Sequence, residues 1–131
     1  MTWRICLVDD DPDILTLVSA TLAGDEFELI TVNDPTTALE GIQRLQPDLV
    51  ILDIEMPRKS GLELCTEIRG KPEFRQMPIV FLTSRSKAEF KVKGMEKGAI
   101  EYIVKPFKIS DLLLRIRAVL AVAGNWKGGG G

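Results

Sequence analysis

The sequence predicts a doubly wound α/β fold with a five-stranded parallel sheet. Five short apolar, β-branched runs alternate with five segments of helical periodicity. Such alternation produces parallel strands joined by right-handed crossovers, with helices on both faces of the sheet. One domain is expected, because a chain of 131 residues buries a core without disulfide or metal support.

Each predicted strand is an apolar run that stops at a polar or turn-forming residue. The predicted strands span residues 3–8, 27–32, 49–52, 79–82 and 99–104. The run at 49–52 reads Leu-Val-Ile-Leu between two aspartates. This pattern is typical of a central strand that is covered on both faces.

The predicted helices begin at proline or capping residues. Pro12 and Pro35 each follow an aspartate and open helices one and two. The capping-box pattern, a serine with a glutamate three positions later, places the starts of helices three and four after Ser60 and Ser86. Ser110 is expected to cap helix five.

The C-terminal segment differs in composition from the rest of the chain. Residues 124–131 contain five glycines, which is typical of a flexible linker. The domain is therefore predicted to span residues 1–123, and residues 124–131 are predicted to be a flexible Gly-rich tail or linker. Trp126 is expected to lie in solvent with this tail; the alternative is that it docks on the domain.

Composition excludes several function classes. The absence of histidine removes His-based catalysis and His metal ligation, and the two cysteines lie in apolar runs that suggest neither a disulfide framework nor a zinc site. Neither a membrane-spanning run nor an export signal is visible in the sequence, so a soluble, cytoplasmic protein without a membrane partner is expected. The chemistry must then use carboxylates, hydroxyls and lysine.

Charge is divided unevenly along the chain. Residues 1–57 hold 12 acids and 2 bases, whereas the remainder holds 7 acids and 15 bases. The later bases are spread at helical spacing without interleaved aromatic residues, which favours solvated helix faces over direct nucleic-acid binding.

The residues that carry chemistry close the strands. Asp9 and Asp10 follow strand one, Asp53 follows strand three, Thr83 follows strand four and Lys105 follows strand five. Alone, each has a structural explanation as a helix cap, a turn residue or an exposed lysine. Parallel strands end at the same edge of the sheet, where ligands bind in such folds. The four strand ends are therefore expected to form one site.

This group of residues favours phosphoryl transfer. Carboxylates about 5 Å apart repel by roughly 3 kcal/mol per pair at an effective dielectric near 20, so the cluster requires a cation. An oxygen-only ligand set suits Mg²⁺. Phosphoryl transfer depends on positioning and on neutralising charge, for which Mg²⁺, an ammonium group and a hydroxyl are suited. Asp53 is then the expected nucleophile.

The strand ends belong to four longer motifs: Leu7-Val8-Asp9-Asp10-Asp11-Pro12, Asp53-Ile54-Glu55-Met56-Pro57 with Gly61, Leu82-Thr83-Ser84, and Tyr102-Ile103-Val104-Lys105-Pro106-Phe107. Through these motifs, residues 4–123 resemble a response-regulator receiver domain of two-component signalling, of the chemotaxis-regulator type. The resemblance implies the (βα)5 flavodoxin-like fold with strand order 2-1-3-4-5.

The resemblance also implies residue roles. Asp53 is the phosphorylated residue and, with Asp10, a direct Mg²⁺ ligand. Asp9 assists the metal through water, and the backbone carbonyl of Glu55 is a further ligand. The domain would catalyse its own phosphoryl transfer and slow dephosphorylation without being an enzyme in the usual sense.

The switch residues follow from the same resemblance. Thr83 and Lys105 bind the phosphoryl oxygens, and the peptide bond between Lys105 and Pro106 is expected to be cis. Thr83 is drawn inward on phosphorylation, Tyr102 turns into the vacated space, and the surface of helix four, strand five and helix five changes. The alternative for Tyr102 is an ordinary aromatic with its hydroxyl in water.

Two charged residues are predicted to modulate the lifetime of the phosphoryl group. Glu55 and Arg85 lie two residues past Asp53 and Thr83, at positions that the resemblance connects with control of the attacking water. We predict that they pair and slow hydrolysis; the alternative is two solvated charges. Arg58-Lys59-Ser60 departs from the common family pattern and is expected to affect the choice of kinase.

The resemblance implies three kinds of partner. A sensor histidine kinase or a His-containing phosphotransfer protein supplies the phosphoryl group from phosphohistidine. A downstream effector, which the sequence does not identify, reads the switch. A homodimer through helix four, strand five and helix five is also expected.

Two other functions use parts of the same residue set. Haloacid-dehalogenase-type phosphatases use similar groups, but their nucleophile precedes the acidic pair, whereas here the pair lies on strand one and no cap domain is present. The second alternative is a receiver-shaped binding module that is never phosphorylated. The complete set of site residues argues against it.

Overall fold

A computed structural model describes residues 2–127 of the chain. Its sheet has five parallel strands in the order β2-β1-β3-β4-β5, which confirms the predicted fold. The strands are β1 Trp3–Val8, β2 Phe27–Val32, β3 Leu49–Leu52, β4 Ile79–Thr83 and β5 Glu101–Val104. The helices are α1 Pro12–Thr21, α2 Pro35–Leu45, α3 Gly61–Arg69, α4 Ala88–Glu96 and α5 Ile109–Ala123, with a 3-10 turn at Pro72–Phe74.

The core consists of two apolar layers, one on each face of the sheet. Alternate side chains along a strand point to opposite faces, so β1 directs Cys6 and Val8 to one layer and Ile5 and Leu7 to the other. Helices α2 and α3 contribute to the first layer, and α1 and α5 contribute to the second. β3 is buried along its whole length, as its apolar run predicts.

Three helix starts follow the sequence signals closely. The side chains of Asp11 and Asp34 accept hydrogen bonds from the backbone at the starts of α1 and α2, each of which has proline in its first turn. Ser60 and Glu63 form the capping box of α3. These local bonds satisfy backbone donors that no helical carbonyl reaches.

Two predicted caps are wrong. The N-cap residue of α4 is Lys87, with no side-chain capping bond, so the capping box expected at Ser86 does not form. α5 begins at Ile109 with Lys108 as its N-cap residue, which places Ser110 inside the helix. In both cases the first carbonyl that accepts a helical hydrogen bond belongs to a lysine, Lys87 in α4 and Lys108 in α5, so the serine does not occupy the N-cap position from which its side chain could accept from the first turn.

The segment after α5 also corrects a prediction. Trp126 is only partly exposed and packs against the apolar layer under α2 and α3, so it is not the solvated side chain that was expected. Residues 128–131 of the predicted tail lie outside the described residues. Within residues 2–127, no helix has the length and apolar character that crossing a membrane requires.

Candidate functional site

The carboxyl end of β1 supplies two aspartates in different environments. Asp9 is completely buried and its Oδ1 accepts a hydrogen bond from the Asp11 backbone N–H at 2.9 Å. Asp10 is exposed at the same edge of the sheet. β1 therefore contributes one rigid carboxylate and one that reaches solvent.

The carboxyl end of β3 supplies Asp53, which is 7% exposed. Its backbone N–H donates to the Val8 carbonyl at 3.1 Å, and its Oδ1 accepts from the Glu55 N–H at 3.2 Å. The following loop closes tightly on this residue, because a Cβ atom at Gly61 would lie 1.9 Å from the Asp53 carbonyl oxygen. The glycine of this motif is thus a steric requirement for the position of Asp53.

The three aspartates form one acidic cluster. One carboxylate oxygen from each of Asp9, Asp10 and Asp53 lies within 4.8 Å of the others. At that separation each ionised pair repels by on the order of 3 kcal/mol at an effective dielectric of 20. The donor set is oxygen only, includes one solvent-exposed member and fits a hard cation such as Mg²⁺, which keeps several waters.

Lys105 partly compensates the negative charge of the cluster. Its Nζ donates to Asp9 Oδ2 at 2.9 Å and to Asp53 Oδ2 at 3.2 Å, while its backbone N–H donates to the Thr83 carbonyl at 2.8 Å. The Lys105-Pro106 peptide bond is cis, as the family resemblance implies. The lysine therefore connects the ends of β1, β3, β4 and β5.

Burial and pairing shift the pKa values of this group. Burial raises the pKa of Asp9, and the hydrogen bonds from Asp11 and Lys105 only partly oppose that effect. Burial alone would lower the pKa of Lys105, but its hydrogen bond to Asp9 and the charges of Asp53 and Asp9 outweigh it, so the net shift is upward. The ammonium group consequently stays charged at neutral pH.

Thr83 ends β4 with a buried hydroxyl. Its Oγ1 accepts a hydrogen bond from the Arg85 backbone N–H at 3.3 Å. The residue thus stands at the same sheet edge as the acidic cluster, and its hydroxyl is engaged with the loop that leads to α4.

Tyr102 points inward from β5. It is 5% exposed, and its hydroxyl donates to the Arg85 carbonyl oxygen at 2.5 Å. Its ring lies 6.1 Å from that of Phe81, centre to centre, in a tilted arrangement. The alternative of a hydroxyl in water is therefore wrong for this structure.

Glu55 and Arg85 meet at the mouth of the site. A guanidinium nitrogen of Arg85 donates to a carboxylate oxygen of Glu55, and both side chains are substantially exposed. The guanidinium also lies 5.3 Å from the centre of the Phe90 ring in α4. The predicted ion pair between Glu55 and Arg85 is present, and Arg85 also contacts α4.

Sequence reasoning missed the roles of Phe90 and Gly94 in α4. Phe90 supports Arg85, whereas Gly94 lets α4 approach β4 and β5, because a Cβ there would lie 3.0 Å from Phe81 and 3.4 Å from Tyr102. The glycine in a helical segment was the only available signal, since such a glycine commonly has a packing reason.

The chain matches a known family of domains along most of its length. The family model described as the response regulator receiver domain matches residues 5–117. The chain belongs to the response regulator receiver domain family. It is therefore a signalling domain of the class that accepts a phosphoryl group and acts as a switch.

Individual relatives agree with this assignment. The DNA-binding response regulator MtrA of Mycobacterium tuberculosis (strain H37Rv) is 38% identical over 120 residues, which cover 92% of this chain and 51% of the relative. The chain spans about half the length of the curated relatives that it matches.

Solved structures support the same fold. The chemotaxis protein CheY4 of Vibrio cholerae has a TM-score of 0.86 and 32% identity, covering 92% of this chain and 100% of that chain. The receiver domain of the sensor histidine kinase PA1611 from Pseudomonas aeruginosa PAO1, with a magnesium ion coordinated in its active site cleft, has a TM-score of 0.83 and 26% identity, covering 92% of this chain and 99% of that chain.

Proposed function

We propose that Asp53 accepts the phosphoryl group in a Mg²⁺-dependent reaction. The observation that carries this proposal is the convergence of three carboxylates, with one oxygen from each within 4.8 Å, and a lysine Nζ that lies 3.2 Å from Asp53 Oδ2. Asp53 is the aspartate of this cluster that contacts Lys105 and also closes the central strand β3.

Mg²⁺ would be held by Asp10, Asp53 and the Glu55 backbone carbonyl, with Asp9 assisting through water. When bound, it neutralises the carboxylates and the phosphoryl oxygens. Asp10 suits direct contact with a hydrated ion because it is exposed, and Asp9 suits a supporting position because it is buried and already bonded to Lys105.

The transfer itself needs few protein groups. A carboxylate oxygen of Asp53 attacks the phosphorus of a donor phosphohistidine; the phosphorus–nitrogen bond breaks as the phosphorus–oxygen bond forms, and the histidine leaves with the electron pair. Lys105 neutralises a phosphoryl oxygen, and Thr83 donates its hydroxyl to another. The phosphoryl group is lost by hydrolysis: water attacks the phosphorus, the bond between phosphorus and the Asp53 oxygen breaks, and the carboxylate is regenerated as phosphate leaves.

The proposed switch uses Thr83 and Tyr102, the two residues that the sequence predicts for it. Tyr102 points inward and its hydroxyl donates to the Arg85 carbonyl, so it is joined to the loop between Thr83 and α4. Movement of the Thr83 hydroxyl toward the phosphoryl group breaks the hydrogen bond that its oxygen accepts from the Arg85 N–H. The loop before α4 then rearranges, while the Tyr102 hydroxyl stays hydrogen-bonded to the Arg85 carbonyl.

The test of acceptance is mass spectrometry after exposure to acetyl phosphate with Mg²⁺. One phosphoryl group should be added to the wild type and to Asp25→Ala, an exposed aspartate outside the cluster, and none to Asp53→Ala. Removal of Mg²⁺ with a chelator should suppress the adduct. An unmodified wild type, or an adduct that survives Asp53→Ala, would overturn the proposal.

The same samples discriminate between the alternatives. Repeated turnover of a generic phosphatase substrate would favour the haloacid-dehalogenase-type reaction, whereas a single adduct favours the switch. Absence of any adduct would favour a receiver-shaped module that signals without phosphate.

We further propose that the pair of Glu55 and Arg85 slows hydrolysis of the phosphorylated Asp53. Both residues are joined to the site, because the Glu55 N–H donates to Asp53 Oδ1 and the Arg85 N–H donates to Thr83 Oγ1, so their ion pair connects the loops after β3 and β4. Replacing both with alanine should shorten the phosphoryl lifetime, and exchanging them, Glu55→Arg with Arg85→Glu, should largely restore it. An unchanged lifetime in the double-alanine variant contradicts this role.

The partners are proposed from the family. A sensor histidine kinase or a His-containing phosphotransfer protein acts as donor, and an effector reads the surface of α4, β5 and α5. Exposed apolar side chains on that surface support a homodimer there: Val92, Met95, Ile100, Val104 and Leu114. Arg58, which pairs with Asp34 at 3.1 Å, is a candidate determinant of kinase choice.

A cytoplasmic location and the absence of direct nucleic-acid contact within these residues are also proposals. The relatives named as DNA-binding are about twice as long as this chain, so the DNA-binding part need not correspond to the region matched here. A mobility-shift measurement on the 131-residue chain tests the second point.

A further inference from the structure

Arg85 is held by both its backbone and its side chain. Its N–H donates to Thr83 Oγ1, and its carbonyl accepts from the Tyr102 hydroxyl. Its guanidinium donates to Glu55, and the guanidinium carbon lies 5.3 Å from the centre of the Phe90 ring. The side-chain contacts thus join the loop after β3 to α4. The proposed phosphoryl chemistry gives a role to each of these neighbours except Phe90.

The ion pair between Glu55 and Arg85 is too exposed to hold itself in place. The Arg85 side chain is 43% exposed and that of Glu55 is 62% exposed. Exposed pairs contribute little, because water and salt screen the charges and both long side chains lose rotamer freedom when they pair. A guanidinium without a further restraint would therefore spend much of its time away from the carboxylate.

Phe90 supplies a further restraint. It lies in the first turn of α4, and its ring packs against the apolar layer that contains Phe81 and Tyr102. The ring is therefore held from the core side and presents a face to a cation. A guanidinium that stacks on an aromatic face keeps its N–H groups free to pair with a carboxylate in the same plane. Stacking on Phe90 and pairing with Glu55 are thus compatible.

We propose that Phe90 is a positioning residue: by holding the Arg85 guanidinium on Glu55, it slows hydrolysis of the phosphorylated domain. The role of Phe90 rests on the proposed function of the pair of Glu55 and Arg85. It adds that the pair acts fully only while α4 keeps Phe90 in place. The phosphoryl lifetime consequently depends on the position of α4, a helix whose buried residue is Gly94.

The first test measures how fast the phosphoryl adduct is lost, by mass spectrometry after acetyl phosphate is removed in the presence of Mg²⁺. Phe90→Leu keeps an apolar side chain but has no aromatic face. It should shorten the lifetime roughly two- to fivefold, the change in an equilibrium that an exposed cation–π contact supports. Phe90→Tyr keeps the face and should keep the lifetime. A wild-type lifetime in Phe90→Leu would overturn the positioning role.

Lys93→Gln is the matched control at the same ring. Lys93 is exposed, and its Nζ lies 5.8 Å from the centre of the Phe90 ring. Removing this cation leaves Arg85 on the ring, so the lifetime should equal that of the wild type. Equal shortening in Lys93→Gln and Phe90→Leu would show that the ring does not act through Arg85.

An Arg85→Ala background separates positioning from a general effect on α4. In that background Phe90→Leu should have no further effect on the lifetime, because the guanidinium that the ring holds is absent. A further shortening of the same size would contradict the positioning role. Circular dichroism shows whether each variant is folded.

A measurement on the unphosphorylated domain separates the role of Phe90 from that of the ion pair. The face of an aromatic ring shields nearby protons, so the NMR signal of the Arg85 Nε–H should move downfield in Phe90→Leu. If it moves but Glu55→Ala with Arg85→Ala leaves the lifetime unchanged, the pair does not control hydrolysis, and the proposed role of Phe90 fails with it. If the double-alanine variant shortens the lifetime and Phe90→Leu does not, the pair controls hydrolysis without help from Phe90.

Discussion

Helices α3 and α4 have the same length and similar opening sequences, yet they are held differently. Each has nine residues, and each is preceded by a serine with a glutamate three positions later. In α3 the Ser60 Oγ accepts from the Glu63 N–H at 3.1 Å and completes a capping box. In α4 no side chain caps the first turn.

Packing widens the difference between the two helices. α3 buries Gly61, Leu64, Cys65 and Ile68, whereas α4 buries only Gly94. Helix α3, which has the cap and more buried side chains, follows the loop after Asp53. Helix α4, which has neither, follows the loop after Thr83 and packs beside Tyr102 through Gly94. The molecule thus combines a fixed acceptor with an adjacent element that can move at low cost.

The largest expected effect comes from breaking the start of α3. Gly61→Ala places a Cβ 1.9 Å from the Asp53 carbonyl oxygen, so the loop must shift, and we expect a loss of about 3 kcal/mol in the free energy of unfolding. Urea denaturation measures it. Phosphoryl acceptance should fall as well, because the displaced carbonyl belongs to the acceptor residue.

Gly41→Ala is the matched control for this substitution. Gly41 lies inside α2, and a Cβ atom there would meet no neighbouring atom within 4 Å, so alanine should stabilise the helix by up to about 1 kcal/mol. If both glycine variants change stability by the same amount, steric contact with Asp53 is not the cause.

Amide hydrogen exchange should show the difference in anchoring directly. α3 buries the side chains of Leu64, Cys65 and Ile68, which α4 does not match, and a single buried apolar side chain stabilises by about 1.5–3 kcal/mol. Amides of α4 should therefore exchange at least about tenfold faster than those of α3. Equal protection would show that α4 is held by contacts other than buried side chains.

The capping difference predicts a smaller effect. Ser60→Ala removes the side-chain acceptor for Glu63 N–H, and we expect a destabilisation of about 1 kcal/mol. Thermal or urea unfolding measures this change, and Ser60→Asp, which retains an acceptor, should recover most of the loss.

The smallest effect is expected at the corresponding position before α4. Ser86 is exposed and does not cap the helix, so Ser86→Ala should change the free energy of unfolding by less than about 0.5 kcal/mol. A loss equal to that of Ser60→Ala would show that Ser86 caps α4 in solution.

The sequence patterns were reliable where neighbouring residues form the bonds. Asp34 caps α2 through the backbone of Thr36, and Ser60 caps α3 through Glu63, so these starts could be predicted from a few consecutive residues. β3 was equally clear, because a wholly apolar run suits only a strand that is covered on both faces. β5 was predicted two residues too long at its start, since the chain pairs with β4 only from Glu101.

The gathering of the site residues could be predicted for a different reason. Parallel strands end at one edge, so residues that close strands become neighbours regardless of their separation along the chain. This rule placed Asp9, Asp53, Thr83 and Lys105 at one edge. It could not predict which carboxylates accept hydrogen bonds from Lys105. Those are set by the side-chain positions in the folded protein, where the Lys105 Nζ lies 2.9 Å from Asp9 Oδ2 and 3.2 Å from Asp53 Oδ2.

The sequence alone determined the alternation of strands and helices, and with it the edge on which the acidic cluster stands. Only the tertiary structure decided that Ser86 leaves α4 uncapped, that Tyr102 points inward to the Arg85 carbonyl, and that Trp126 docks on Phe74 and Asp48. The physical reason is how far apart the interacting residues lie along the sequence. Periodicity and caps depend on residues a few positions apart, whereas Trp126 and Asp48 are 78 positions apart and meet only after the sheet has formed.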